Sequence, residues 1–163
     1  MKIDIRGALV LFHPTDPDQI LLLKRSNSKK LFPNLITGIG GKVELDQGEG
    51  EDLESSLLRE FTEETSIPKE TVRDIHLRLS TITNREELVV LLWYTGHLTT
   101  LPQDLACTEG VLAFYNKNNL PLSEMIPTAG QAIPFITSLP ETDTTVYAGA
   151  FPKSGTGLVI SAP

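Results

Sequence analysis

The apolar segments of this chain are all short, and that limits its fold more than any other feature. The longest uninterrupted run, Leu88–Tyr94, is the length of one strand, whereas a helix crossing a bilayer needs about 20 such residues. Stretches rich in Ile, Leu and Val at Lys2–Phe12, Ile20–Lys24, Val72–Thr83, Leu88–His97 and Val111–Tyr115 read as strands. Turn-forming residues at Pro14–Asp18 and Asn84–Glu87 predict two antiparallel hairpins, and Thr145–Phe151 with Leu158–Ile160 predicts a third across Lys153–Gly157. Helical spacing is clearest from about Gly50 to Glu64, where Leu53, Leu57 and Phe61 recur four residues apart with Leu58 beside them, and Pro68 stops the helix. A second helical region is expected within Pro121–Leu139, interrupted by Pro127 and Pro134. Strands around one or two helices make the fold α/β or α+β with a mixed sheet. No repeat, low-complexity tract or interdomain linker divides the chain, so residues 1–163 are expected to form one domain.

Charge narrows the function. The net charge is −7, and the stretch from Lys42 to Glu64 holds nine acids against two bases, which leaves the rest of the chain neutral. A protein so charged lacks the basic face that a nucleic acid backbone requires. The single cysteine, Cys107, excludes an internal disulfide framework and a Cys-rich zinc site. The early apolar run Ala8–Phe12 is too short for a secretory leader, so a soluble cytoplasmic protein is expected. The acidic stretch itself has two readings, a solvated helix face or a metal site.

The helix distinguishes them. At about 100° per residue, Leu53, Leu57, Phe61 and Leu58 span one face, and Glu64 projects between Leu53 and Leu57. Glu60 falls at the rim of that apolar arc, with Glu63 further round and Arg59 adjacent. Glu60 and Glu64 form a like-charge i,i+4 pair, which costs a few tenths of a kcal/mol. All three acids occupy the last turn, where the helix dipole favours cations, and burial adds desolvation. Glu49, Glu51, Asp52 and Glu54, by contrast, stand at the helix start, where the dipole favours acids. Converging carboxylates at the wrong helix end make sense if a hard divalent cation lies between them, and oxygen ligands point to Mg²⁺ or Mn²⁺. Arg59 either anchors one carboxylate or is solvated.

These residues resemble a known signature. Gly41, Glu51 and the run Arg59-Glu60-Phe61-Thr62-Glu63-Glu64-Thr65-Ser66-Ile67 are similar to the Nudix box, and Gly38–Glu44 resembles the segment leading into it in MutT-like nucleoside triphosphate pyrophosphatases. Two departures stand out. Nine residues rather than five separate Gly41 from Glu51, so Glu49 competes for the box's first glutamate; Glu51 is preferred because helical spacing is stricter than loop length. Ser66 replaces a glycine at the helix end, where a left-handed cap costs Ser about 1 kcal/mol.

The resemblance implies a Nudix α-β-α sandwich and hydrolysis of a nucleoside diphosphate linked to another moiety. For a (deoxy)nucleoside triphosphate the products are a monophosphate and pyrophosphate. It implies Glu60, Glu63 and Glu64 as metal ligands, with a carbonyl of Gly40 or Gly41, and Arg59 as the residue orienting a glutamate. Glu63, Glu64 and Glu109 are the candidate general bases. Lys24 and Arg25, ending the second strand, are candidates for phosphate contact or simply surface charges. The run Gly-x-Gly-Gly-Lys-Val is also similar to that of oxidised-purine triphosphatases. Thr37, however, stands where such enzymes carry a base-reading Asn, and Ile126-Pro127-Thr128-Ala129 replaces an aromatic-Pro-Asp-Asp run. That leaves the base preference open, 8-oxo-dGTP being one candidate. The implied partner is a small-molecule nucleotide, not a nucleic acid polymer or a membrane, with a homodimer left open. A non-catalytic Nudix-like binding or regulatory module is the competing reading.

Other motifs are weaker. Val43 follows Gly41-Lys42, so the glycine cluster is not a P-loop, and it lacks the third glycine of a dinucleotide fingerprint. His13, His76 and His97 show no metal spacing and read as structural, and Trp93 reads as core.

Overall fold

The computed structural model describes residues 2–43, 52–84, 86–153 and 157–161. Its strands are β1 Ile3–Phe12, β2 Gln19–Arg25, β3 Ile36–Thr37, β4 Ile39–Lys42, β5 Val72–Asn84, β6 Leu88–Leu98, β7 Ala106–Cys107, β8 Gly110–Asn116, β9 Tyr147–Phe151 and β10 Val159–Ser161. Two α-helices accompany them, α1 Leu53–Thr65 and α2 Pro127–Ser138. The strands join in one mixed sheet of order β10-β9-β5-β6-β1-β2-β8-β7, with β3 on β2 and β4 on β1. β1 runs parallel to β6, and β5 parallel to β9. All three expected hairpins are antiparallel pairs.

Alternation along the strands sorts their side chains to two faces. Leu9, Leu11, Leu21 and Leu23 pack with Leu57 and Phe61 of α1. Ala8, Val10, Ile20 and Leu22 pack with Ala129, Ala132, Ile133 and Ile136 of α2. The sheet therefore lies between two helical layers, the α-β-α sandwich that the resemblance implied. Trp93 is buried on the α2 side, its indole N–H donating to Thr81 Oγ1 at 2.9 Å.

Helix α2 refines the expectation for residues 121–139. Pro127 does not interrupt the helix but opens it, at a position where its missing N–H is no loss. Pro134 lies within it, and the element continues to Ser138. The short strands β3, β4 and β7 were not expected. With two to four residues each, they carry too little periodicity to read. The loop Leu45–Gly50, Glu49, Glu51 and the centre of the last hairpin turn lie outside the described residues. Among the described residues, no helix is long and apolar enough to cross a membrane.

Candidate active site

The site begins with the caps that set the length and rotation of α1. Asp52 Oδ1 accepts from the Ser55 N–H at 2.7 Å, closing the N-terminus. At the other end Ser66 adopts φ 59° and ψ 12°, and its N–H donates to the Thr62 carbonyl. This is the left-handed cap expected at that position, held here by serine. Leu57 then seats against β1 where Gly7 leaves room, since a methyl group at Gly7 would stand 2.9 Å from Leu57 Cδ1.

This seating turns Glu60 and Glu64 toward β4. A methyl group at Gly41 would stand 3.5 Å from Glu64 Oε1 and 3.9 Å from Glu60 Oε2. The glycine thus forms the floor of a small recess walled by two carboxylates. Its neighbour Gly40 is needed for a different reason. At φ 156° it lies so close to β1 that a methyl group would fall 2.1 Å from the Gly7 carbonyl oxygen.

Arg59 acts as an anchor, as one of its two readings held. Its Nη1 lies 3.2 Å from Glu60 Oε1 and 3.4 Å from each oxygen of Glu63. Glu63 departs from the expected convergence. Its side chain is 61% exposed and engages Arg59 rather than the recess. The reason is angular: Glu63 lies farther round the helix from the buried face than either neighbour. Accordingly, no group of three or more His, Cys, Asp or Glu side chains is already gathered as a metal cage among the described residues.

Glu64 carries the strongest electrostatic signal. Burial pushes its carboxyl up to about 7, and the negative charges of Glu109 and Glu60 push in the same direction, while Lys29 and Arg25 oppose them. Its Oε2 is buried without a hydrogen-bond partner. A buried acceptor left so is costly unless something binds it.

Glu109 enters from the turn between β7 and β8. The Thr108 N–H donates to the Glu64 carbonyl at 3.3 Å, and the Ser26 N–H donates to the Glu109 carbonyl at 2.9 Å. These bonds tie the turn to the end of α1 and the end of β2. Lys29 forms an ion pair with the Glu109 carboxylate. Gly110 lets the turn close, because a methyl group there would fall 2.0 Å from the Lys24 carbonyl oxygen.

Two cavities flank this recess. One, of about 300 Å³, is lined by Gly38, Gly40, Gly41, Thr37, Trp93 and the segment Ile126–Thr128, among others. It brings together Thr37 and the segment aligned with the base-reading run; Ala129, the last residue of that run, is fully buried in the core instead. Leu31 and Phe32 also line it, Phe32 at φ 50°. The other, of about 370 Å³, is lined by Lys24, Arg25, Cys107, Thr108 and Gly110 with neighbours. Arg25 lines both, and its charge reaches Glu64. Lys24 lines only the second.

Two of the three histidines make structural contacts, and His76 is exposed. His97 stacks on Phe12 at 5.1 Å and pairs with Glu141, and His13 Nδ1 accepts from the Thr15 and Asp16 backbone. The sequence did not single out Gly7, Lys29 or Phe32. Each takes its place only through a partner distant in the chain, and no local pattern marks it.

A family model described as NUDIX domain matches residues 5–128. No curated protein sequence matches the chain. Among solved structures, a NUDIX hydrolase from Nitrosomonas europaea superposes with a TM-score of 0.68 at 16% identity, over 94% of this chain and 81% of the other. A MutT protein from Bacillus halodurans gives 0.63 at 18%, over 91% and 89%. The E. coli dihydroneopterin triphosphate pyrophosphohydrolase gives 0.60 at 18%, over 83% and 96%. At such identities the likeness is one of fold.

Proposed function

The chain belongs to the NUDIX family, whose hydrolases act on nucleoside diphosphates linked to another moiety, and on that premise we propose that it is a cytoplasmic, single-domain pyrophosphatase that splits a (deoxy)nucleoside triphosphate into monophosphate and pyrophosphate with Mg²⁺, or Mn²⁺ in its place. The observation that carries this reading is the recess at Gly41, with oxygens of Glu60 and Glu64 beside it and Glu64 Oε2 unpartnered. Hard oxygen donors around a space kept open by a missing Cβ suit a small divalent cation.

Glu60, Glu64 and a carbonyl of Gly40 or Gly41 would hold the cation, with Glu63 joining by a rotamer change away from Arg59. When bound, it would supply Lewis-acid polarisation of a phosphoryl oxygen and lower the pKa of a coordinated water. The protein groups supply the rest. Arg59 holds the Glu60 carboxylate in place and engages Glu63 in the cation-free chain. Arg25, between the two cavities, is positioned to neutralise phosphate charge, with Lys24 further out. A base must sit near its operating pH to accept a proton well. Glu64, with its carboxyl near 7, meets that condition in the cation-free chain, and Glu109 beside it remains available when Glu64 is engaged as a ligand. Glu63 is the third candidate.

The test is a panel of nucleoside triphosphates and nucleotide sugars assayed for phosphate and pyrophosphate release with and without Mg²⁺. Turnover that requires the metal and falls by about 100-fold or more in both Glu63→Gln and Glu64→Gln supports the assignment. Nucleotide binding without turnover on any compound would instead identify a binding module.

A further inference from the structure

We propose that Asp4 reads the nucleobase, accepting a hydrogen bond from a base N–H in the cavity beside the glycine recess. This rests on the reading that the site takes a nucleotide. Asp4 lies at the start of β1, on the same strand face as Arg6 and Ala8. All three line the 300 Å³ cavity, together with Trp93, Leu91 and Thr128. The walls are largely apolar, and the same cavity reaches Gly40 and Gly41, where phosphate chemistry is expected. A flat, largely apolar ring at one end and charge at the other is the shape of a nucleotide.

The two carboxylate oxygens of Asp4 are differently placed. Oδ2 accepts from Arg6 Nε at 2.8 Å. Oδ1 is buried with no hydrogen-bond partner, and the side chain as a whole is only 13% exposed. Arg6 therefore fixes the carboxylate while leaving one oxygen to be satisfied. A carboxylate can only accept, so its natural complement in an apolar cavity is an N–H. Guanine presents two adjacent N–H donors on one edge. Uracil presents a single N–H flanked by carbonyl oxygens, which an anion repels. Thr37 and Ile126–Ala129, which stand where the resemblance places base-reading groups, offer no charged acceptor. Asp4, in a strand that the sequence marks only as apolar, fills that role.

The experiment uses the full-length protein and the fluorescence of Trp93, its only tryptophan, which lines the cavity. Binding of GMP, UMP and base-less ribose 5-phosphate is titrated without turnover, in wild type and in Asp4→Asn and Asp4→Ala, with melting curves confirming that each variant folds. The expected result is GMP tighter than UMP in wild type, about 10- to 100-fold weaker GMP binding in both variants, and unchanged ribose 5-phosphate binding. Unchanged GMP affinity in folded variants overturns the proposal. So does an equal loss for ribose 5-phosphate, or wild-type binding that ignores the base. Metal-dependent turnover with Asp4-independent base binding would sink this inference alone, whereas Asp4-dependent binding without turnover would leave it standing and remove the hydrolase reading.

Discussion

Gly41 and Glu64 face each other across the gap between β4 and α1 at a separation that would just admit a methyl group, 3.5 Å from the added carbon to Oε1. Nothing in the fold requires that gap to stay open, since Gly41 has no positive φ. Under the proposed function the open gap is the space the cation would occupy.

The two adjacent glycines should therefore separate by phenotype. Gly41→Ala is expected to fold normally, with a melting temperature within a few degrees of wild type, while hydrolysis falls by about tenfold or more as the methyl intrudes on the carboxylates. Gly40→Ala forces a backbone clash with Gly7 and is expected to cost about 3 kcal/mol or more of stability. Chemical denaturation and turnover of both variants check this; equal destabilisation by the two would remove the distinction.

The raised Glu64 carboxyl has a thermodynamic consequence. Its value rises from 4.5 to about 7 in the fold, so between those pH values the folded chain holds a proton that the unfolded chain has lost. Its contribution to stability therefore falls as pH rises through that window. In EDTA, Glu64→Gln should remove this part of the slope and should melt higher than wild type at pH 8. Mg²⁺ should raise the wild-type melting temperature more at pH 8 than at pH 5, because the cation requires the ionised carboxylate. A metal response that is flat across both pH values would contradict the site.

Glu109 and Lys29 act on Glu64 with opposite sign. Glu109→Gln removes a negative charge and should lower the Glu64 titration midpoint, whereas Lys29→Met removes a positive one and should raise it. Carbon-detected NMR of the glutamate carboxyls in metal-free protein reads both directly. Shifts of the same direction, or none, would show that the β7–β8 turn is not coupled to the helix end.

Ser66 is a strained cap with a simple remedy. Glycine adopts its conformation without a Cβ penalty, so Ser66→Gly should stabilise the fold by about 0.5–1 kcal/mol. Urea midpoints measure this, and turnover should not change, because Ser66 lies beyond the carboxylates.

The local features of this protein were legible from residue order. Strand β1 ran within one residue of its expected bounds, and the helix carried both its apolar stripe and its misplaced acids in plain view. Ser66 showed as a cap, and Glu60 and Glu64 showed as a pair on the buried edge. These follow from periodicities of two and of about 3.6 residues, which are properties of consecutive positions. What tertiary structure alone decided was which distant atoms meet. The rotation that sends Glu64 to Gly41 but leaves Glu63 on Arg59 depends on Leu57 fitting over Gly7. The approach of Glu109 depends on a turn bonded to two other elements, and the isolation of Asp4 Oδ1 depends on Arg6 claiming the other oxygen beside a cavity lined by six strands and the start of α2. Contacts of that kind are set by strand register and close packing, and short glycine strands such as β4 carry no periodic trace of the partners they will find.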